Sequence, residues 1–220
     1  WPYNELLARE KEVLNFYVSG HPLMHFQDEI RGFSDISMRG EAMEKLKEGN
    51  SLTVGGIITT VKTHVQRDGR AMVFLTIEDF DGSMELLVFG DAYEKFKHLL
   101  SADAMVLVHG QVSVREEDKK PKLRVDNVMA LADTRSKLTK SIHVRLKTHG
   151  LEEAQMKDLL DTCVKLKGSC TLILHLVTGE NNEYRIKAKS VLVNSAKESI
   201  DMLREKIGRE NVWIGKSAAA

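Results

Sequence analysis

The chain has 220 residues, with 32 basic and 32 acidic side chains, so its formal charge is zero before any histidine titrates. Apolar residues make up 42% and charged residues 29%, which is the balance of a globular chain and excludes a disordered or fibrous one. Zero net charge argues against nucleic-acid binding driven by a bulk field, but it leaves local patches open.

No apolar run approaches the ~20 residues that span a bilayer, and Trp1-Pro2-Tyr3-Asn4-Glu5 is not a secretory leader. Two cysteines, Cys163 and Cys170, exclude a disulfide scaffold and an all-cysteine zinc site. These features predict a cytoplasmic protein with no membrane partner. The lack of an initial methionine and the Ser217-Ala218-Ala219-Ala220 end read as a cut fragment with an appended tail.

Residues 1–50 read as a helical segment. Leu6, Leu7, Glu10 and Leu14 follow helical spacing, and Phe16-Tyr17-Val18 continues the run. Ser19-Gly20-His21-Pro22 ends it, because proline drives the preceding residue out of the helical region. A second short helix is predicted over 38–48, ended by Gly49-Asn50.

From residue 51 the period becomes two. Strand one runs over 52–65, with a bulge or sharp bend expected at Gly55-Gly56. Asp68-Gly69 supplies a hairpin turn, strand two covers 71–79, Asp81-Gly82 turns again, and strand three covers 83–89. A helix over 91–100 carries Tyr93, Phe96, Leu99 and Leu100 on one stripe. Strands over 104–114 and 122–131 flank a polar loop. Three strands, a helix and two strands, with a long first strand, is the order of an OB-fold barrel over 51–133.

A basic linker is expected over 134–140. Beyond it come a strand (142–147), a helix (151–166), strands over 171–177 and 183–188, a helix (196–207) and a last strand (212–214). The helix over 151–166 is amphipathic, with Leu151, Met156, Leu159, Leu160 and Val164 apolar. This βαββαβ order over 134–216 predicts a small α+β domain, with 217–220 as a tail.

Catalytic readings find little support. Glu78-Asp79-Phe80-Asp81 has the carboxylate spacing of a two-magnesium site, but Asp81-Gly82 lies between alternating strands, where aspartate is favoured as a turn former. The histidines are scattered, with neither His-x-x-x-His on a helix nor Cys-x-x-Cys, and no phosphate-binding glycine loop or nucleophile elbow occurs. No cofactor or metal is predicted, and an autonomous enzyme is the weakest reading.

The barrel face is more informative, since OB-folds bind nucleic acid on strands two and three and on the loops joining strands one to two and four to five. Ala71, Val73, Leu75 and Ile77 suit the interior, which turns Met72, Phe74 and Thr76 to the opposite face. There Phe74 either stacks a base or packs against a neighbouring segment. The first loop contributes Lys62, His64, Arg67 and Arg70 against Asp68. The second offers Arg115, Lys119, Lys120 and Lys122, mixed with Glu116, Glu117 and Asp118. Together with Met72 and Phe74, these cations form the predicted nucleic-acid-binding set.

Several stretches resemble one family. Phe16-Tyr17-Val18-Ser19-Gly20-His21-Pro22-Leu23 is similar to the F/L-Y-x-[ST]-G-H-P-[LI] motif that precedes the OB domain of the bacterial replicative DNA polymerase III alpha subunit, DnaE type. The likeness continues through residues 72–82, Glu85-Leu86-Leu87-Val88-Phe89, Tyr93-Glu94-Lys95-Phe96 and Val108-His109-Gly110-Gln111-Val112-Ser113. The resemblance implies a non-catalytic segment, because the family's palm carboxylates and clamp-binding peptide lie upstream. It implies a barrel that contacts single-stranded template DNA, and a C-terminal domain that docks the tau subunit of the clamp loader. The rest of the polymerase core would be a further partner.

The second motif also resembles the anticodon-binding barrel of aspartyl- and lysyl-tRNA synthetases, in which the motif phenylalanine stacks a base. That likeness points to Phe74, with Glu85 nearest the base-reading position. Two alternatives stay open: a module that binds protein only, and an RNA-binding barrel of the synthetase type.

Overall fold

A computed structural model describes residues 9, 10, 13, 20–65, 71–114, 120–179 and 182–216. The chain divides into two compact units, Trp1–Ala132 and Asp133–Ala220. Among the described residues no helix is long and apolar enough to cross a membrane.

In the first unit, Arg9, Glu10 and Val13 are helical, while most of the expected opening helix lies outside the described residues. His21 is extended (φ −76°, ψ 133°), as a residue before proline should be, and its Nδ1 accepts from the Leu23 N–H at the start of the 3-10 turn Pro22–Phe26. Helix α1, Gln27–Phe33, follows. The sequence does not reveal it, because seven residues are too few to show a helical period. The expected helix over 38–48 contracts to α2, Gly40–Glu44.

The barrel strands are β1 (Ser51–Val65), β2 (Ala71–Glu78), β3 (Ser83–Phe89), β4 (Met105–Ser113) and β5 (Lys122–Ala130), closed in the order β1-β2-β3-β5-β4. Helix α3, Gly90–Phe96, and a 3-10 turn over Lys97–Leu99 stand in place of the single helix expected over 91–100. β1 closes the barrel by pairing first with β4 and then with β2, changing partner at Ile57. The pairing irregularity falls between Ile58 and Thr60, not at the glycine pair. Gly56 instead permits a close approach. A Cβ there would lie 2.3 Å from the Glu78 carbonyl oxygen, so only glycine lets the two strands meet where the partner changes. Val54, Ile58, Val73, Leu75, Ile77, Leu86, Val88, Val108 and Leu123 form the interior.

The Asp79-Phe80-Asp81-Gly82 segment is a structural turn. Asp79 Oδ1 accepts from the N–H groups of Asp81 and Gly82, and its Oδ2 accepts from the Met38 N–H at 2.7 Å. Asp81 accepts from Ser37 Oγ and from Arg39. Both carboxylates therefore pin residues 37–39 to the barrel. Among the described residues no group of three or more His, Cys, Asp or Glu side chains could hold a metal ion.

The stretch expected as a basic linker is largely helix α4, Leu131–Leu138. Its charges are those of a solvated helix: Asp133 and Lys137 pair at 2.8 Å one turn apart, and neither proline nor glycine interrupts it.

The second unit contains β6 (Ser141–Lys147), α5 (Glu153–Lys165), β7 (Lys167–Val177), β8 (Glu183–Val193), α6 (Lys197–Ile207) and β9 (Val212–Gly215). Its sheet order is β8-β7-β6-β9, with β6 and β7 parallel and the two outer pairs antiparallel. Barrel and α+β sheet together are the expected fold class. The buried positions of α5 do not coincide with its apolar residues, however. Leu159, Thr162 and Cys163 are buried, whereas Leu160 and Val164 are each 48% exposed. Met156, Leu159, Leu160, Cys163 and Val164 lie on one stripe at helical spacing, but only its side bearing Leu159 and Cys163 is buried, so periodicity alone does not fix how the helix is turned toward the core.

Candidate nucleic-acid interface

The outer face of the barrel is ordered by strand register. Alternation puts Val73, Leu75 and Ile77 inside, fully buried, and leaves Met72, Phe74 and Thr76 half-buried on the outside. Across that face Lys62 of β1 stands opposite Phe74 of β2, Phe74 opposite Leu87 of β3, Leu87 opposite Arg124 of β5, and Arg124 opposite Gln111 of β4. This row crosses all five strands. It carries a cation at each side, an aromatic ring between them, and an amide. Lys62 and Arg124 are exposed, and Arg124 Nη2 donates to Gln111 Oε1 at 2.5 Å.

Two flanking rows complete the surface. His64 stands opposite Met72, and Met72 opposite Phe89. On the other flank Thr60, Thr76, Glu85 and Lys122 follow one another, with Lys122 Nζ 3.4 Å from Glu85. Lys120 and Lys122 border a hollow of about 370 Å³ together with Thr76, Ser83 and Glu85. Glu85, the position nearest a base reader, is thus engaged with a cation on the same face.

The structure brings Lys62, His64, Met72 and Phe74 onto one continuous surface, and places Lys120 and Lys122 at its far side. Arg67, Arg70, Arg115 and Lys119 lie outside the described residues. Sequence reasoning misses Arg124 and Gln111. Both lie within predicted strands, but their alignment with Phe74 depends on the parallel β3–β5 pairing, which joins residues about 37 positions apart in the chain.

What the arrangement offers chemically is a ring for stacking and cations for phosphates, on a face that no carboxylate pair dominates. Residues 52–131 match the family model of the OB-fold nucleic acid binding domain (tRNA_anti-codon). Over 210 residues the chain is 30% identical to DNA polymerase III subunit alpha of Pseudomonas fluorescens, a match covering 96% of this chain and 18% of that protein. The same-named protein of Pseudomonas aeruginosa is 29% identical over 210 residues, with the same coverage. Among solved structures, asparaginyl-tRNA synthetase from Pyrococcus horikoshii aligns with 38% of this chain and 20% of its own, at 22% identity and a TM-score of 0.30. The chain therefore spans about a fifth of the length of its polymerase relatives. Nearly its whole length is thus similar to a segment of DNA polymerase III subunit alpha, and residues 52–131 within it match an OB-fold nucleic acid binding domain.

Proposed function

We propose that this chain is a non-catalytic segment of a replicative polymerase alpha subunit whose barrel holds single-stranded DNA, weakly and without sequence preference. The observation that carries this reading is the transverse row Lys62–Phe74–Leu87–Arg124–Gln111 on the outer face of the barrel. Phe74 stacks a base, while Lys62 and Arg124, with Arg67 and Arg70 of the first loop, neutralise phosphates. His64 and Met72 extend the platform, Lys120 and Lys122 border its far side, and Arg115 and Lys119 complete the proposed binding set. The commitment of Asp79 and Asp81 to main-chain and side-chain partners supports the absence of a catalytic role. The second unit would dock the clamp-loader tau subunit, a reading that rests on the family resemblance.

Titration of labelled oligothymidine at several salt concentrations tests the barrel assignment. Phe74→Ala should weaken binding by about 1–3 kcal/mol. Lys62→Ala and Arg124→Ala should each flatten the dependence of log K on log salt by about 0.7. Binding that all three substitutions leave untouched, beside retained capture of tau, would replace this reading with a protein-only module. Tighter binding of a folded tRNA than of a plain single strand would favour the synthetase-like alternative.

A further inference from the structure

The second unit presents a sheet face that the barrel reading does not use. Along β6, Ile142, Val144 and Leu146 are buried on one side. The alternate positions Ser141, His143, Arg145 and Lys147 therefore share the other. Register carries this second face across the sheet. Trp213 of β9 stands opposite His143, His143 opposite Ile173, and Ile173 opposite Lys187 of β8. In the next row Arg145 stands opposite His175, and His175 opposite Arg185. In the third, Lys147 stands opposite Val177, and Val177 opposite Glu183.

Four exposed cations thus occupy one face: Arg145, Lys147, Arg185 and Lys187. The single carboxylate among them, Glu183, accepts a 2.6 Å hydrogen bond from His175 Nδ1 and lies 3.6 Å from Arg185 Nε, so much of its charge is answered locally. The aromatic groups are fixed from beneath. Trp213 stacks on His143 at 5.2 Å with 10° between the rings, and His143 Nδ1 meets His175 Nε2 at 2.8 Å. The Arg145 guanidinium lies 5.2 Å from the centre of the Trp213 ring. That contact orders a long side chain in advance, which lowers the entropy lost when it grips an anion.

We propose that this face, centred on Arg145, Arg185 and Lys187 around Trp213, is a second binding surface for single-stranded nucleic acid, held through its phosphates. Cations at alternate positions of a strand recur about every 7 Å, which gives a polyphosphate several contacts in succession. A planar guanidinium laid on an indole also offers a surface to a base, which an acidic peptide would not use. The proposal stands independently of the barrel face.

The experiment uses the full chain and labelled oligothymidine, with Arg145→Ala, Lys147→Ala and Lys187→Ala combined. It is run in the native background and again with Phe74→Ala and Arg124→Ala. A drop of about 2 in the magnitude of the salt slope is expected from the three lost cations in both backgrounds. In a Trp1→Phe protein, oligothymidine should quench the emission of Trp213. In the unsubstituted protein it should also shield Lys147 and Lys187 from a lysine-acylating reagent. Unchanged affinity and slope, or unshielded lysines, would overturn the proposal whether or not the barrel binds. Oligoglutamate that shields the same lysines as well as oligothymidine does would reassign the face to an acidic protein segment.

Discussion

Two histidines in the second unit show what a residue owes to its neighbours. The chain Ser141 Oγ, His143, His175, Glu183 is hydrogen-bonded throughout, at 2.9, 2.8 and 2.6 Å. Burial, helped by the nearby charges of His175 and Arg185, lowers the pKa of His143 to about 4. A histidine lowered in the folded state stays neutral there while the unfolded chain takes up a proton, so its contribution to stability is complete above pH ~6.5 and drains away as pH falls toward 4. Glu183 is shifted down from its ordinary value, first by the His175 hydrogen bond, and its contribution is lost only at still lower pH. Urea unfolding followed at Trp213 should show stability falling between pH 6.5 and 4.5, and His143→Gln should flatten that slope. An unchanged slope would mean that other groups carry the dependence. The sequence shows none of this, since His143 and His175 are 32 residues apart and meet only through the β6–β7 register. Phe74 is legible for the opposite reason: the two-residue period of its own strand places it outside.

Elements are legible in the sequence where a period is long, and obscure where it is short or charged. The barrel strands follow alternation over seven or more residues, which is enough to separate an inner from an outer face. Helix α4 reads as a linker because its charges, arranged for solvent, leave little apolar stripe to find. Strand β8 runs on to Val193, five residues past expectation, since it is an edge strand exposed along most of its length and few of its side chains need be apolar. Gly110 tests how tightly elements are matched. It lies at the β4–β5 register shift, where a Cβ would come 2.0 Å from the Arg124 carbonyl oxygen. Gly110→Ala should destabilise the protein by about 1–3 kcal/mol in urea unfolding and should disturb the Arg124–Gln111 contact. Gly179→Ala, where an added Cβ meets nothing within 4 Å, serves as the control and should be near neutral.

Charge distributes over the whole molecule in a way that its zero sum conceals. Residues 51–130 hold 10 basic and 12 acidic groups, while 131–220 hold 16 and 11. The barrel is therefore slightly acidic, and any grip on DNA depends on the cations of one face. The basic surplus belongs to the second unit. Counting Lys62, Arg67, Arg70 and Arg124 with Arg145, Lys147, Arg185 and Lys187, the salt slope for a single strand should be no steeper than about −6. A steeper measured slope would show that cations beyond these eight make contact.

The sequence by itself determined the fold class, the turn at Asp81-Gly82, and the outward position of Phe74. Each follows from local physics: a two-residue period or turn chemistry. Only the tertiary structure decided that Arg124 and Gln111 complete the row through Phe74. It alone decided that Arg145, Arg185 and Trp213 share a face, and which side of α5 is buried. Those outcomes depend on strand register and on packing between distant segments, where a shift of one residue would turn every side chain to the other face.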